Sequence, residues 1–191
     1  MIKNSVILFQ THILSKDILR EFQNISNETE EFCDAYLLCD DTNINIPQKV
    51  KNYRHICINK KDLSEFNYPI VKDEKRKTEV PIPEAFNLSH NKLSILKYFL
   101  ENKGYDYYWY IEYDVRYSGK WSHFFNCFKK NEKDLLISYL RFYEEEPNWS
   151  HWYLNHPELT IPKSELIRCF NPIIRFSNKA LTYLHESLMD G

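Results

Sequence analysis

Glycine is scarce in this chain: only 3 of its 191 residues are glycine, namely Gly104, Gly119 and Gly191. A glycine-rich loop that cradles phosphates near the start of the chain is therefore excluded. This absence disfavours a nucleotidyltransferase, a class that usually carries such a loop early in its sequence. Long apolar runs are missing too. The apolar run near the start of the chain ends at Phe9 and is shorter than the roughly 7–15 residues of a signal-peptide core. No run in the sequence approaches the length of about 20 residues that a membrane helix needs.

The five cysteines form no CxxC pair, and none lies at zinc-finger spacing from a histidine. We interpret them as small buried hydrophobic side chains in a reducing compartment, which predicts a cytoplasmic location. Charge is balanced, with 25 Lys and Arg against 27 Asp and Glu and a net charge of -2. This balance indicates no general attraction to nucleic acid or to anionic lipid. Peripheral membrane association through another segment stays open.

Apolar and aromatic side chains are abundant: hydrophobic residues make up 43% of the chain and aromatic residues 16%. A chain of this length can bury a real core, and we predict a single domain over residues 1–191. Aromatic side chains fill cores, but they also line sugar and base sites.

Short apolar runs alternate with amphipathic segments. Strands are predicted at residues 5–9, 35–39, 54–58, 107–115, 134–140 and 171–177. Helices are predicted after Ser15, from about Ser89, after Gly119 and after Ser177, with a long charged loop at 60–84. This order predicts an α/β fold, a three-layer sandwich with a mostly parallel central sheet. Ligands of such sheets sit beyond the carboxyl ends of the strands.

Two acids flank Tyr113 near the end of the aromatic strand. Alternation along a strand would put Glu112 and Asp114 on one face, about 6.5 Å apart. Mg²⁺ and Mn²⁺ prefer oxygen ligands, usually one or two carboxylates plus substrate phosphates. From spacing alone, a divalent-metal site, a solvated acid pair and a Glu112 paired with an internal arginine all remain open.

The segment YIEYDVRYSG at residues 110–119, followed by Trp121, resembles the DxD region of GT-A glycosyltransferases. It is most similar to bacterial and fungal glycosyltransferase-like proteins with an IE.DVR..G.W pattern, and the similar order of elements spans residues 5–185. The first acid departs from that pattern, because it is Glu112 rather than Asp. The resemblance implies a GT-A fold and transfer of a sugar from a nucleotide-sugar, a UDP-sugar foremost, to a glycan or lipid-linked acceptor in polysaccharide biosynthesis.

The same resemblance implies a Mn²⁺ or Mg²⁺ ion held by Asp114, with Glu112 touching ribose, sugar or a metal-bound water. Thr11 and His12 follow the first strand and are expected to contact uracil or ribose. Asp40 ends the second strand beside Asp41, where an acid often meets the base or ribose in this fold. For each strand-end residue, the alternative is an ordinary loop or turn in solvent.

Two basic residues complete the predicted nucleotide site. Lys92 opens the helix before the DxD strand, where a basic residue often reaches the diphosphate or base. Arg116 follows Asp114 and is expected to pair with phosphate or with Glu112. A solvated lysine on the helix surface is the alternative for Lys92.

The second half of the chain leaves the activity open. Residues 144–153 offer Trp, Tyr and Glu side chains for sugar contacts, or form a loop pinned by its aromatics. The resemblance implies a further segment with acceptor contacts, a catalytic acid or base and a GH.E-like stretch, and this sequence has no such stretch. No catalytic residue is therefore assigned. The alternative function is a non-catalytic or truncated GT-A-like domain that binds a nucleotide or carbohydrate, or serves only a structural role.

Overall fold

A computed structural model of the chain describes residues 4–41, 48–59, 61–62, 66–73, 78–81, 90–150, 152 and 161–190. The strands of this part are β1 (Ser5–Thr11), β2 (Cys33–Asp40), β3 (His55–Ile58), β4 (Ile70–Asp73), β5 (Thr78–Pro81), β6 (Tyr107–Glu112), β7 (Leu135–Leu136), β8 (Arg141–Phe142), β9 (Ile167–Arg168) and β10 (Ile173–Ser177). Its α-helices are α1 (Lys16–Thr29), α2 (His90–Glu101), α3 (Trp121–Cys127) and α4 (Asn178–Asp190). None of these helices is long and apolar enough to cross a membrane.

The central sheet has six strands in the order β3-β2-β1-β6-β10-β7. Strand β1 runs parallel to β2 and β6, and β2 runs parallel to β3. Strand β10 is antiparallel to both of its neighbours. The carboxyl ends of β1, β2, β3 and β6 therefore share one edge of the sheet, where β10 begins. The predicted α/β fold with a mostly parallel central sheet is confirmed.

Helices cover both faces of the sheet. Because successive side chains of a strand point to opposite faces, β1 contributes side chains to a core on each side. Val6 and Leu8 of β1 belong to a core with residues of α2 and α4. Ile7 and Phe9 belong to a second core with residues of α1 and α3. All four side chains are fully buried. These two cores make the three layers of the predicted sandwich, and they explain why β1 is apolar without interruption.

Two serines cap helices as predicted. The hydroxyl of Ser15 accepts a hydrogen bond from the N–H of Ile18 at the start of α1, at 3.3 Å. The hydroxyl of Ser177 accepts one from the N–H of Ala180 at 3.0 Å and donates one to Asp134 at 2.8 Å. The bond to Asp134 holds the pKa of that carboxyl below its usual value, with help from Lys179.

Two predicted segments outside the candidate site differ from the structure. The strand expected at 134–140 is only the two-residue β7, which ends at Leu136. Tyr139, with a left-handed φ of 51°, then breaks the extended backbone before β8. The chain then enters a separate two-stranded sheet of β8 and β9. The charged loop expected at 60–84 contains the antiparallel pair of β4 and β5.

The cysteines are only partly buried. Cys33 and Cys39 lie in the core, whereas Cys57, Cys127 and Cys169 are exposed. The interpretation of all five as buried side chains is therefore wrong for three of them. Cys57 lies on β3, which in the described part of the chain is the outermost strand on its side of the sheet.

Among the described residues, one charged side chain is buried in the fold. Arg175 of β10 is 2% exposed, and its guanidinium carbon lies 4.1 Å from the centre of the Tyr107 ring. The guanidinium donates to the carbonyls of Asn131 and Lys133, at 2.7 and 2.9 Å. Burial lowers the pKa of Arg175, which Tyr107 partly offsets. Arg175 thus fastens the loop before β7 to the sheet by satisfying its backbone carbonyls.

Candidate functional site

Three predicted site residues end neighbouring parallel strands. Thr11 is the last residue of β1, Asp40 the last of β2 and Glu112 the last of β6. The register places Glu112 beside Gln10, and Cys39 beside Thr11. The structure thus brings these residues to one edge of the sheet, the edge at which ligands of open α/β sheets bind.

Glu112 and Asp114 lie on a turn rather than on one face of a strand. Strand β6 ends at Glu112, and the N–H of Val115 donates to the carbonyl of Glu112 at 3.1 Å. The strand alternation expected for the two acids is therefore wrong, because the chain reverses immediately after Glu112. Asp114 is exposed and Glu112 is half-buried. The turn leaves Asp114 open to a ligand from solvent.

Tyr110 connects the two acids with the core. Its side chain is fully buried on β6, two residues before Glu112. Burial raises the pKa of the Tyr110 phenol, and the carboxylates of Glu112 and Asp114 raise it further. Tyr110 therefore stays neutral at physiological pH and supplies a polar group beneath the acid turn.

The loop after β1 reaches the acid turn through His12. The ring of His12 meets the ring of Tyr113 edge-on, with centroids 4.9 Å apart. Thr11 is fully buried, and its hydroxyl accepts a hydrogen bond from the N–H of Ile13 at 2.9 Å while donating to the carbonyl of Ile13. Thr11 therefore shapes the loop, and the side chain of His12 in that loop is exposed.

The end of β2 carries Asp40 and Asp41, both half-buried. The N–H of Asp41 donates to the carbonyl of Ile58 at 3.4 Å, which extends the contact between β2 and β3. One carboxylate oxygen of Asp41 is buried and has no hydrogen-bond partner among the described residues. Burial, the Cys57 side chain and Asp41 together raise the pKa of Cys39 to about 12, so this thiol stays neutral.

Helix α2 begins at the same edge of the sheet. The hydroxyl of Ser94 donates to the side-chain oxygen of Gln10 at 3.0 Å, and both side chains are buried. This contact joins the end of β1 to the first turns of α2, where the backbone of Lys92 lies. The side chain of Lys92 lies outside the described residues. Gln10 and Ser94 position the site, and the sequence analysis did not identify them.

Arg116 braces the acid turn. Its guanidinium donates to the carbonyls of Tyr113 and Val115, at 2.8 and 2.7 Å, and its side chain is exposed. These bonds hold the cation beside Asp114 on the same turn. These two bonds do not use the other N–H groups of the guanidinium, which can donate to a phosphate.

A second backbone connection fixes the turn from the other side. The N–H of Glu112 donates to the carbonyl of Pro172 at 2.9 Å, just before β10 begins. Asn171 precedes Pro172, and its amide contacts Cys169 at 2.7 Å. Because Asn171 precedes Pro172, it is a further polar residue close to Glu112 along the chain. The sequence analysis did not assign it to the site.

The residues after the turn form a packed aromatic anchor. The ring of Tyr117 lies 5.4 Å from that of Trp121, which is 2% exposed. The indole N–H of Trp121 donates to Glu21 of α1 at 2.8 Å. Gly119 lies against the Tyr117 ring, because a Cβ atom at Gly119 would stand 2.7 Å from a ring carbon. Gly119 and Trp121 of the motif thus have a packing role.

Substituting Gly119 by Ala is expected to lower the free energy of unfolding by about 1–2 kcal/mol, since the added methyl displaces the Tyr117 ring from Trp121. Gly104→Ala is the matched control, because a Cβ at Gly104 meets nothing within 4 Å. That control should change stability by about 0.5 kcal/mol or less. Urea unfolding of both variants measures the difference. Equal effects of the two substitutions would show that the Tyr117 ring moves aside at no cost.

The segment after β8 is held by its own contacts. Glu146 forms an ion pair with Arg168 and accepts a hydrogen bond from the hydroxyl of Tyr139 at 3.1 Å. The indole N–H of Trp152 donates to the carbonyl of Glu146 at 2.8 Å, and the ring of Trp149 lies 5.0 Å from that of Trp152. These contacts favour the pinned loop over a sugar platform. Residues 151 and 153–160 lie outside the described residues.

The donor set at the turn suits a hard divalent cation only in part. The described residues contain no group of three or more His, Cys, Asp or Glu side chains placed to hold a metal ion. Glu112 and Asp114 offer carboxylate oxygens, and one of these side chains is exposed. Mg²⁺ commonly uses one or two carboxylates and takes its other ligands from water and phosphate. The residues therefore fit a metal that arrives with a diphosphate.

Comparisons with known proteins add one distant similarity. No family model matches the sequence, and no curated protein matches it. A similar solved structure is the crystal structure of 4-diphosphocytidyl-2C-methyl-D-erythritol synthase from Anaerococcus prevotii DSM 20548. The match has 8% identity and a TM-score of 0.49, and it covers 99% of this chain and 76% of that chain. A similarity this distant assigns no function to the chain.

Proposed function

We propose that the chain is a GT-A type glycosyltransferase-like domain that binds a nucleotide-sugar, a UDP-sugar foremost, at the carboxyl edge of its sheet. The observation that carries this proposal is the acid turn. An exposed Asp114 follows a buried strand and lies on the turn between Glu112 and Arg116, whose guanidinium donates to the carbonyl of Tyr113. A diphosphate bound there would meet one cation of the protein and two carboxylates able to hold a divalent metal.

The surrounding side chains have complementary roles in this proposal. His12 lies on the Tyr113 ring and offers a ring nitrogen to the nucleoside, while Thr11 holds the loop that presents it. Asp40 and Asp41 at the end of β2 offer acceptors for base or ribose hydroxyls. The first turn of α2 brings the backbone of Lys92 to the same edge. Asp114, with Glu112 behind it, would hold Mn²⁺ or Mg²⁺, which neutralises charge on a diphosphate leaving group.

Binding measurements test the proposal directly. We expect calorimetry in Mn²⁺ to give a higher affinity for UDP than for GDP or CMP. Removal of Mn²⁺ with a chelator should weaken that binding, because charge on the diphosphate is then uncompensated beside two acids. Absence of binding by all three nucleotides would contradict the proposal. Binding without turnover or hydrolysis of any nucleotide-sugar would indicate the non-catalytic alternative, a domain that binds nucleotide without transfer.

A further inference from the structure

A groove runs between helix α4 and strand β7, on the flank of the sheet away from β3. It measures about 610 Å³, and its apolar lining includes Leu135, Phe176, Ala180, Tyr183 and Leu184. Leu135 is 46% exposed and Tyr183 is 73% exposed. Within the described residues, β7 is the outermost strand of the sheet on this side, so one of its long sides faces no further strand of that sheet. Exposed apolar side chains beside a sheet edge are characteristic of a surface that another chain covers.

The charges around the groove follow a regular pattern. Lys179 and Glu186 both line it and lie seven residues apart on α4. Seven residues make about two helical turns, or roughly 10.5 Å, so both residues lie on the same side of the helix. Tyr183 lies between them on this stripe. The stripe therefore has a positive end, an aromatic centre and a negative end.

A second copy of this chain complements that pattern. When two α4 helices pack antiparallel, Lys179 of each copy faces Glu186 of the other, and the two Tyr183 rings meet at the centre. A two-fold axis generates both ion pairs from a single surface. Parallel helices would instead place like charges together. Tyrosine also suits such a contact, because it buries a large ring and keeps its hydroxyl in water at the rim.

We propose that the α4–β7 face binds a second copy of the chain about a two-fold axis that passes near Tyr183. The described side chain of Lys179 is 84% exposed, and its nitrogen is 3.5 Å from Asp134 of its own chain. Because this intramolecular ion pair is exposed, it contributes little stability. The ammonium can therefore leave Asp134 and pair with Glu186 of the second copy. The dimer covers Leu135 and Tyr183 together, near the amino-terminal end of β6, whereas the acid turn follows its carboxyl end.

Charge exchange tests the proposal. Sedimentation equilibrium of the full chain at low salt is expected to show a dimer. Lys179→Glu or Glu186→Lys alone should raise the dissociation constant by about tenfold, because each substitution creates two repulsive pairs. The double variant K179E/E186K restores opposite charges and should return the constant to within about threefold of the unmutated value. Tyr183→Asp should weaken the dimer by at least about 30-fold.

A matched exchange on the opposite side of the molecule is the control. Glu30→Lys with Lys51→Glu changes the same charges at exposed positions near α1 and should leave the dissociation constant unchanged. Circular dichroism confirms that each variant is folded. A chain that is monomeric up to about 1 mM overturns the proposal. A dimer that is insensitive to Tyr183→Asp, or a double variant no tighter than the single ones, overturns it as well.

Discussion

Replacing Asp114 by Asn is expected to abolish the metal-dependent part of nucleotide binding and to weaken UDP affinity in Mn²⁺ by at least about 30-fold. Asn keeps the shape of the side chain and removes its charge. In the proposed site Asp114 is the direct metal ligand and Glu112 is not, so this substitution removes the charged ligand of the metal. Because Asp114 is exposed on a turn, the fold should survive. Calorimetry with and without Mn²⁺ measures the effect.

Two further variants make this experiment specific. Glu112→Gln should weaken UDP affinity by about tenfold or less. A residue that touches ribose or a metal-bound water contributes a hydrogen bond and does not coordinate the metal directly. Asp106→Asn changes an exposed carboxylate next to the opposite end of β6 and should have no effect. Equal UDP affinity with and without Mn²⁺ in the unmutated protein would show that the acid pair is structural.

The order of elements could be predicted because burial leaves a periodic trace in the sequence. Strand β1 is apolar at consecutive positions since Val6 and Leu8 enter one core while Ile7 and Phe9 enter the other. The serine caps are equally local signals. The break after β7 left no such trace. Tyr139 adopts a left-handed φ, although tyrosine is not a residue that favours that conformation.

The candidate site shows a similar division between local and non-local information. Thr11, Asp40 and Glu112 could be placed together because the carboxyl ends of parallel strands meet at one edge. The contact of Gln10 with Ser94 joins residues 84 positions apart, so no short pattern reveals it. The bond from Glu112 to Pro172 depends on β10 pairing with β6, which sequence periodicity does not specify. The alternation rule failed at Asp114 because it holds only within a strand.

Replacing Trp121 by Ala is expected to lower the free energy of unfolding by about 3–5 kcal/mol. The side chain is 2% exposed and packs on Tyr117, Phe124 and Phe125, so its removal leaves a large cavity in the core that α1 and α3 share. Domains of this size are stable by only about 5–15 kcal/mol. Urea unfolding followed by circular dichroism measures the loss. Trp149→Ala, at a partly exposed ring outside both cores, is the control and should cost less.

Trp121→Phe separates packing from hydrogen bonding. Phe keeps most of the apolar contact and loses the indole N–H that donates to Glu21, so we expect a cost of about 1–2 kcal/mol. A double-mutant cycle with Glu21→Ala should give a coupling of about 1 kcal/mol if that bond is the cause. Nucleotide affinity adds the functional readout, because Trp121 ties the end of the acid turn to α1. A Trp121→Phe protein with lower stability and unchanged metal-dependent affinity would show that β6 and Pro172 alone position Asp114.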